Sequence, residues 1–65
     1  MQVLINQIPH ELPEGALLTQ ALDAGGFQPP FAVAVNLQFV PKTQYAATRL
    51  MPGDQIEVIS PITGG

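Results

Sequence analysis

The sequence has no cysteine and no tryptophan, carries only two basic residues, and contains no long apolar run. Each absence excludes something. Without cysteine there is neither a disulfide nor a thiolate metal site, and a core of this size rarely supplies more than about 3 to 5 kcal/mol on its own. Lys42 and Arg49 cannot build the basic patch that phosphate neutralisation requires, so nucleic acid is not an expected ligand. No stretch of about 18 apolar residues exists and no positively charged segment precedes an apolar run, so neither a membrane span nor a signal peptide is expected. The cytoplasm is the expected location, and the lack of cysteine agrees with it.

What is present is a chain of 65 residues, 46% hydrophobic and 11% charged, which fits one small folded domain rather than a disordered segment. Five acids (Glu11, Glu14, Asp23, Asp54 and Glu57) set the formal net charge at −3. That balance suits a basic protein partner whose approach depends on salt. His10 stands alone among residues that could activate water, so no metal site is expected.

Along the chain, residues 1–6 alternate loosely and are rich in β-branched side chains, which predicts a strand with Met1, Val3 and Ile5 on one face and Leu4 on the other. Asn6-Gln7 reads as a turn into a second short strand over residues 8–12, and Pro9 consigns that strand to a sheet edge. Residues 16–24 place Leu18, Ala21 and Leu22 on one helical stripe, with Gly25-Gly26 as the stop. No Ser, Thr, Asp or Asn occupies the expected N-cap, so packing must hold the helix. After the stiff connector Gln28-Pro29-Pro30, residues 31–36 form the clearest strand, with Val33 and Val35 toward the helix and Ala32 and Ala34 away from it. Leu37-Gln38 is the expected hairpin turn into Phe39-Val40. Residues 42–48 predict a turn or short 3₁₀ segment with Tyr45 packed inward. Pro52-Gly53-Asp54 is a strong turn signal, and residues 55–59 alternate as the last strand. No internal repeat is visible.

One helix must cover the strands, so a single mixed sheet of four to five strands curled over it is the economical α+β solution. A helical crossover lets the first and last strands run parallel as central neighbours. Met1, Val3, Ile5, Ile56 and Val58 would then pack against Leu18 and Leu22. The far face would offer Leu4, Ala32, Ala34 and Ile59 as a candidate docking patch, or merely as scattered exposed apolar residues.

The division expected is a body over residues 1–59 and a flexible tail over residues 60–65 ending in Gly64-Gly65. Two glycines close a chain by chance roughly once in 200 cases. Glycine lets backbone approach a surface closely, and a terminal glycine presents the least hindered carboxylate. That carboxylate is inert until a partner converts it to a mixed anhydride that a nucleophile can attack. A frayed terminus is the plain alternative.

A strand from Met1, the run Val33-Ala34-Val35-Asn36, Val40-Pro41 followed by Tyr45, the run Gly53-Asp54-Gln55-Ile56-Glu57 and the closing Gly64-Gly65 together resemble the ThiS family over essentially the whole chain. The resemblance implies a ubiquitin-like β-grasp fold and a sulfur carrier of thiamin biosynthesis, without catalysis or cofactor of its own. It further implies that a ThiF-like adenylating enzyme, using ATP and magnesium, activates Gly65, and that sulfur from a cysteine desulfurase route displaces AMP to give a thiocarboxylate. A ThiG-like thiazole synthase would accept the sulfur, and Gly64 would keep the tail slim enough to enter the partners' active sites. The chain departs from the family at the helix start, Ala16-Leu17-Leu18, and at Pro29-Pro30 and Ser60-Pro61. Two neighbouring readings use the same tail: a carrier like the small subunit of molybdopterin synthase, and a protein modifier conjugated through Gly65. A plain interaction domain is a third.

Overall fold

The computed structural model describes residues 1–60. Its elements are β1 (Gln2–Ile5), β2 (Ile8–Glu11), α1 (Leu18–Gly25), β3 (Ala32–Val35), β4 (Gln38–Val40), a 3₁₀ turn (Lys42–Ala47) and β5 (Gln55–Ile59). The five strands form one sheet in the order β2-β1-β5-β3-β4. β1 and β5 run parallel, with Ile5 opposite Ile56, and every other pairing is antiparallel. This is the mixed sheet expected, with all five strands present and the first and last at its centre.

Alternation along the strands decides what the helix covers. Val3 and Ile5, Val33, and Ile56 and Val58 are buried on one face, where they meet Leu18, Ala21 and Leu22 of α1. Leu12, Ala16 and Leu50 complete the core, and Met1, Phe27, Phe31, Val35, Val40 and Tyr45 pack around its rim. The phenyl ring of Phe31 lies nearly parallel to that of Tyr45, at a centroid distance of 6.2 Å. Pro9 sits on β2, an edge strand, where its missing N–H costs no rung.

The helix begins at Leu18 rather than Ala16, because Ala16 and Leu17 are spent on a bridge to the segment before β5. Leu17 stands opposite Arg49. The Leu18 N–H donates to the Thr48 carbonyl at 2.8 Å, and the Leu50 N–H donates to Ala16 at 2.9 Å. Leucine has no side-chain acceptor, so Leu17 cannot cap. Only the return half of a capping box exists, in which the Gln20 side-chain oxygen accepts the Leu17 N–H at 2.8 Å. The helix closes at Gly26, whose φ of 70° is the left-handed value glycine adopts freely.

Both hairpins turn on two residues at positive φ, Asn6-Gln7 and Asn36-Leu37, with φ of 50° and 69° in each. Such a turn matches the right-handed twist of the strands it joins. The second turn therefore lies one residue earlier than expected: Leu37 is in it, but Gln38 already pairs with Val35. The hairpins also repeat one another. Val3, Ile5 and Asn6 of the first stand where Val33, Val35 and Asn36 stand in the second, a likeness the sequence alone does not reveal because the intervening residues differ.

Each asparagine then does the work of a displaced carbonyl. A left-handed turn residue swings its own C=O away from the neighbouring strand, and the side-chain amide takes its place. Asn6 Oδ1 accepts the Val58 N–H at 2.9 Å while its Nδ2 donates to the Val58 carbonyl at 3.3 Å. Asn36 Oδ1 accepts the Gln55 N–H at 3.0 Å, and its backbone N–H returns a bond to the Gln55 carbonyl at 2.7 Å. The central strand is thus clamped from both flanks.

Candidate functional site

Two regions carry the sequence-level expectations. Gly64 and Gly65, with residues 61–63, lie outside the described residues. The sheet face opposite the helix is described, and its composition follows from strand register. Cross-strand partners share a face, so Ala34, opposite both Glu57 and Phe39, and Ala32, opposite Ile59, line up on the side away from α1.

The structure brings Ala32, Ala34 and Ile59 together and adds Phe39. Ile59 and Phe39 are 61% and 70% exposed, large apolar side chains with only alanines between them. Leu4 lies on the same face but beyond β5, where it is half-buried and stands opposite Gln55. It is not contiguous with the other three. Glu57 gives the face a negative charge beside Ala34. The sequence does not single out Phe39, because a turn at Leu37-Gln38 would set it opposite Asn36, at the hairpin tip. The observed turn moves it one rung away from the tip, opposite Ala34 on the edge strand β4.

The other residues singled out have structural occupations. Asp54 closes the turn before β5: its carboxylate accepts the Met51 N–H at 2.8 Å and the Asn36 amide at 2.9 Å. Gly53, at φ 83°, donates its N–H to the Gln2 carbonyl at 2.8 Å and so ties this turn to β1. Tyr45 is half-buried against Phe31. His10 pairs with Val3 on the edge strand. Among the described residues no cluster of His, Asp or Glu could hold a metal ion, and no helix is long and apolar enough to cross a membrane. Lys42 lines a shallow groove with Pro29, Pro30, Phe31 and Tyr45 on the helix side. No pair of catalytic groups faces it.

The face therefore presents apolar surface and no cluster of reactive groups. It is a smooth strip of two alanines flanked by Phe39 and Ile59, and Ile59 is the last strand residue before the chain runs on toward its glycines. Shape and small side chains of this kind suit a protein surface laid flat against the sheet.

Comparison with known proteins bears on the whole chain. No curated protein matches the sequence. The fold superposes on the crystal structure of a thiamine biosynthesis protein (ThiS) from Geobacter metallireducens with a TM-score of 0.82, at 23% identity and with 100% of each chain covered. At that identity the likeness establishes the β-grasp fold. The family model described as "ThiS family" matches residues 3–65, nearly the full sequence and the closing glycines with it, and the chain belongs to the ThiS family.

Proposed function

We propose that this protein is a sulfur carrier of thiamin biosynthesis whose terminal Gly65 is the point of attachment. The observation that carries the reading is that the family match extends through Gly64 and Gly65 on a body that fulfils the fold over its full length. The described body has no catalytic constellation, which suits a substrate of other enzymes. A ThiF-like enzyme would join the Gly65 carboxylate to the α-phosphate of ATP, releasing pyrophosphate. The acyl adenylate then has AMP as its leaving group; the outer sulfur of a persulfide from a cysteine desulfurase route displaces it to give an acyl disulfide, and a second thiol supplied by a partner attacks the inner sulfur, forming a new disulfide and releasing the Gly65 thiocarboxylate. Hydrolytic loss is avoided if these steps occur inside the partner, and a slim arm makes that possible.

Body and arm divide the work. Residues 1–59 dock, and residues 60–65 reach across at most about 20 Å when extended. The docking face is the strip of Ala32, Ala34, Phe39 and Ile59, with Leu4 at its margin. A ThiG-like thiazole synthase would then take the sulfur, and localisation in the cytoplasm is part of the same proposal. The test is mass spectrometry of the carrier after incubation with its activating enzyme, ATP, magnesium and a sulfur source. The expected product has one terminal oxygen replaced by sulfur. Isopeptide remnants on lysines of other proteins from the native cells would instead support a modifier.

A further inference from the structure

Backbone hydrogen bonds alternate in direction along a strand, so the bonds an inner strand makes on one side fix which residues of its other partner face outward. In the first hairpin, Leu4 and Asn6 donate to the carbonyls of Asp54 and Ile56, at 2.9 and 2.8 Å, while Met1 exchanges bonds with Leu12. Val3 and Ile5 therefore bond to His10 and Ile8, and the residues of β2 that turn their backbone to the open edge are Pro9 and Glu11. In the second hairpin, the Asn36 N–H donates to Gln55 at 2.7 Å, so Ala34 and Ala32 bond to β5 while Val35 and Val33 bond to Gln38 and Val40. Phe39 is left facing the edge, and the next such position, just past the strand, is Pro41. On each edge a proline without an N–H thus takes one of the two outward positions. The Pro41 carbonyl is also occupied, by the Gln44 N–H at 2.8 Å. Among the described strand residues, each edge keeps one that can exchange both bonds with a further strand: Glu11 on β2 and Phe39 on β4.

The two are not equivalent. Glu11 carries an exposed carboxylate, and a charge of that kind on an edge strand discourages addition. Phe39 carries an exposed phenyl ring on the same face as Ala34. We propose that Phe39 is the point at which an extended segment of a protein partner joins the sheet as a sixth strand, one of its residues accepting the Phe39 N–H and donating to the Phe39 carbonyl. Main-chain bonds supply affinity in such an addition, and side chains on the shared face supply specificity. The partner is basic, since the chain carries a net charge of −3 and Glu57 lies on this face; a second copy would bring the same negative charge and be repelled. With proline at the next outward position, the addition is confined to a single rung, a contact that sets register and still lets the carrier leave. The choice of partner rests on the carrier reading, whereas the outward direction of the Phe39 backbone does not.

The probe is the ThiF-like adenylating enzyme, bound to the full-length chain. Phe39→Ala and Phe39→Pro both remove the ring, but only proline removes the N–H, and because that N–H points outward its loss breaks no rung inside the sheet. Phe39→Pro is expected to bind the enzyme about 3- to 10-fold more weakly than Phe39→Ala, the worth of one net hydrogen bond. Equal affinity of the two variants overturns the rung. In the wild-type chain, hydrogen exchange read by NMR should find the Phe39 amide exchanging quickly when free and about tenfold or more slowly in the complex. A Phe39 amide already protected in the free chain, or one unchanged by the enzyme, overturns the proposal as well. Should Phe39→Pro not fold, scalar coupling across the hydrogen bond, from the Phe39 nitrogen to a carbonyl carbon of the enzyme, decides in its place: its presence supports the rung and its absence overturns it. A wild-type chain that the enzyme does not bind at all removes the carrier reading and the rung together, whereas binding with equal variants removes the rung alone.

Discussion

The side-chain amide of Asn6 is bonded at both ends to the backbone of one residue, Val58, accepting its N–H at 2.9 Å and donating to its carbonyl at 3.3 Å. A single side chain thereby extends the β1–β5 ladder past the point where β1 turns away, and it does so from a backbone at φ 50°. Two separable terms follow. Asn6→Gly keeps the left-handed conformation and loses both bonds, which predicts a loss of about 1 to 2 kcal/mol. Asn6→Ala loses the bonds and also strains the turn, adding about 1 kcal/mol. Urea unfolding should therefore rank wild type above glycine above alanine, and a glycine variant as stable as wild type would show that the bonds contribute nothing.

Gly25 reverses the usual rule for glycine in a helix. Alanine there should gain about 1 kcal/mol from propensity. A Cβ at this position, however, would collide with the Phe27 ring. The ring must swing aside, and its tilted contact with Phe31, now at 6.3 Å between centroids, is lost. Aromatic pairs of this kind are worth about 0.5 to 1.5 kcal/mol. Gly25→Ala is expected to show no net gain in thermal unfolding, with the Phe27 resonances displaced. A clear rise in melting temperature with those resonances unmoved would contradict this.

On the proposed docking face, Ile59→Lys and Ala34→Lys, the latter opposite Glu57, are expected to leave stability within about 0.5 kcal/mol of wild type, as surface changes usually do. Phe39→Ala should do the same. Binding to the adenylating enzyme should fall about tenfold or more for Phe39→Ala, the behaviour of an aromatic anchor that becomes buried at an interface. Titration calorimetry alongside urea unfolding checks both halves. Unchanged affinity in all three variants would remove this face from the docking account.

Deleting Gly65 is expected to abolish adenylation while leaving circular dichroism and thermal unfolding nearly unaltered. An adenylated truncated chain, or one that fails to fold, would break the proposed division between body and arm.

Much of this is legible in the sequence because small sheets leave few choices. Alternation at Val3, Ile5, Val33, Ile56 and Val58 names the helix-facing residues, and Leu18, Ala21 and Leu22 name the stripe that meets them. The helix start is less legible. Ala16 and Leu17 have good helical character, and only the long-range bridge to Thr48 and Leu50 takes them out of α1. Tertiary hydrogen bonds of that kind leave no local signature. The hairpin turn is displaced by one residue from its expected place because Asn36, read as the last residue of the strand, is itself the first turn residue at φ 50°, which frees Gln38 to pair with Val35. Phe39 is hidden with it. The apolar strip itself can be drawn from period two, but Leu4 does not belong with the rest, since strand order decides adjacency and periodicity does not.

β5 is the latest strand in the chain, yet it lies at the middle of the sheet, with Ile5 opposite Ile56 across most of the sequence. The two hairpins are therefore complete in sequence before the strand that joins them. Neither can share a core with the other until residues 55–59 arrive, and loop-closure entropy for a contact of such long range must be met in one late step. Assembly of this body is a closing act, completed by the one strand that both hairpins share.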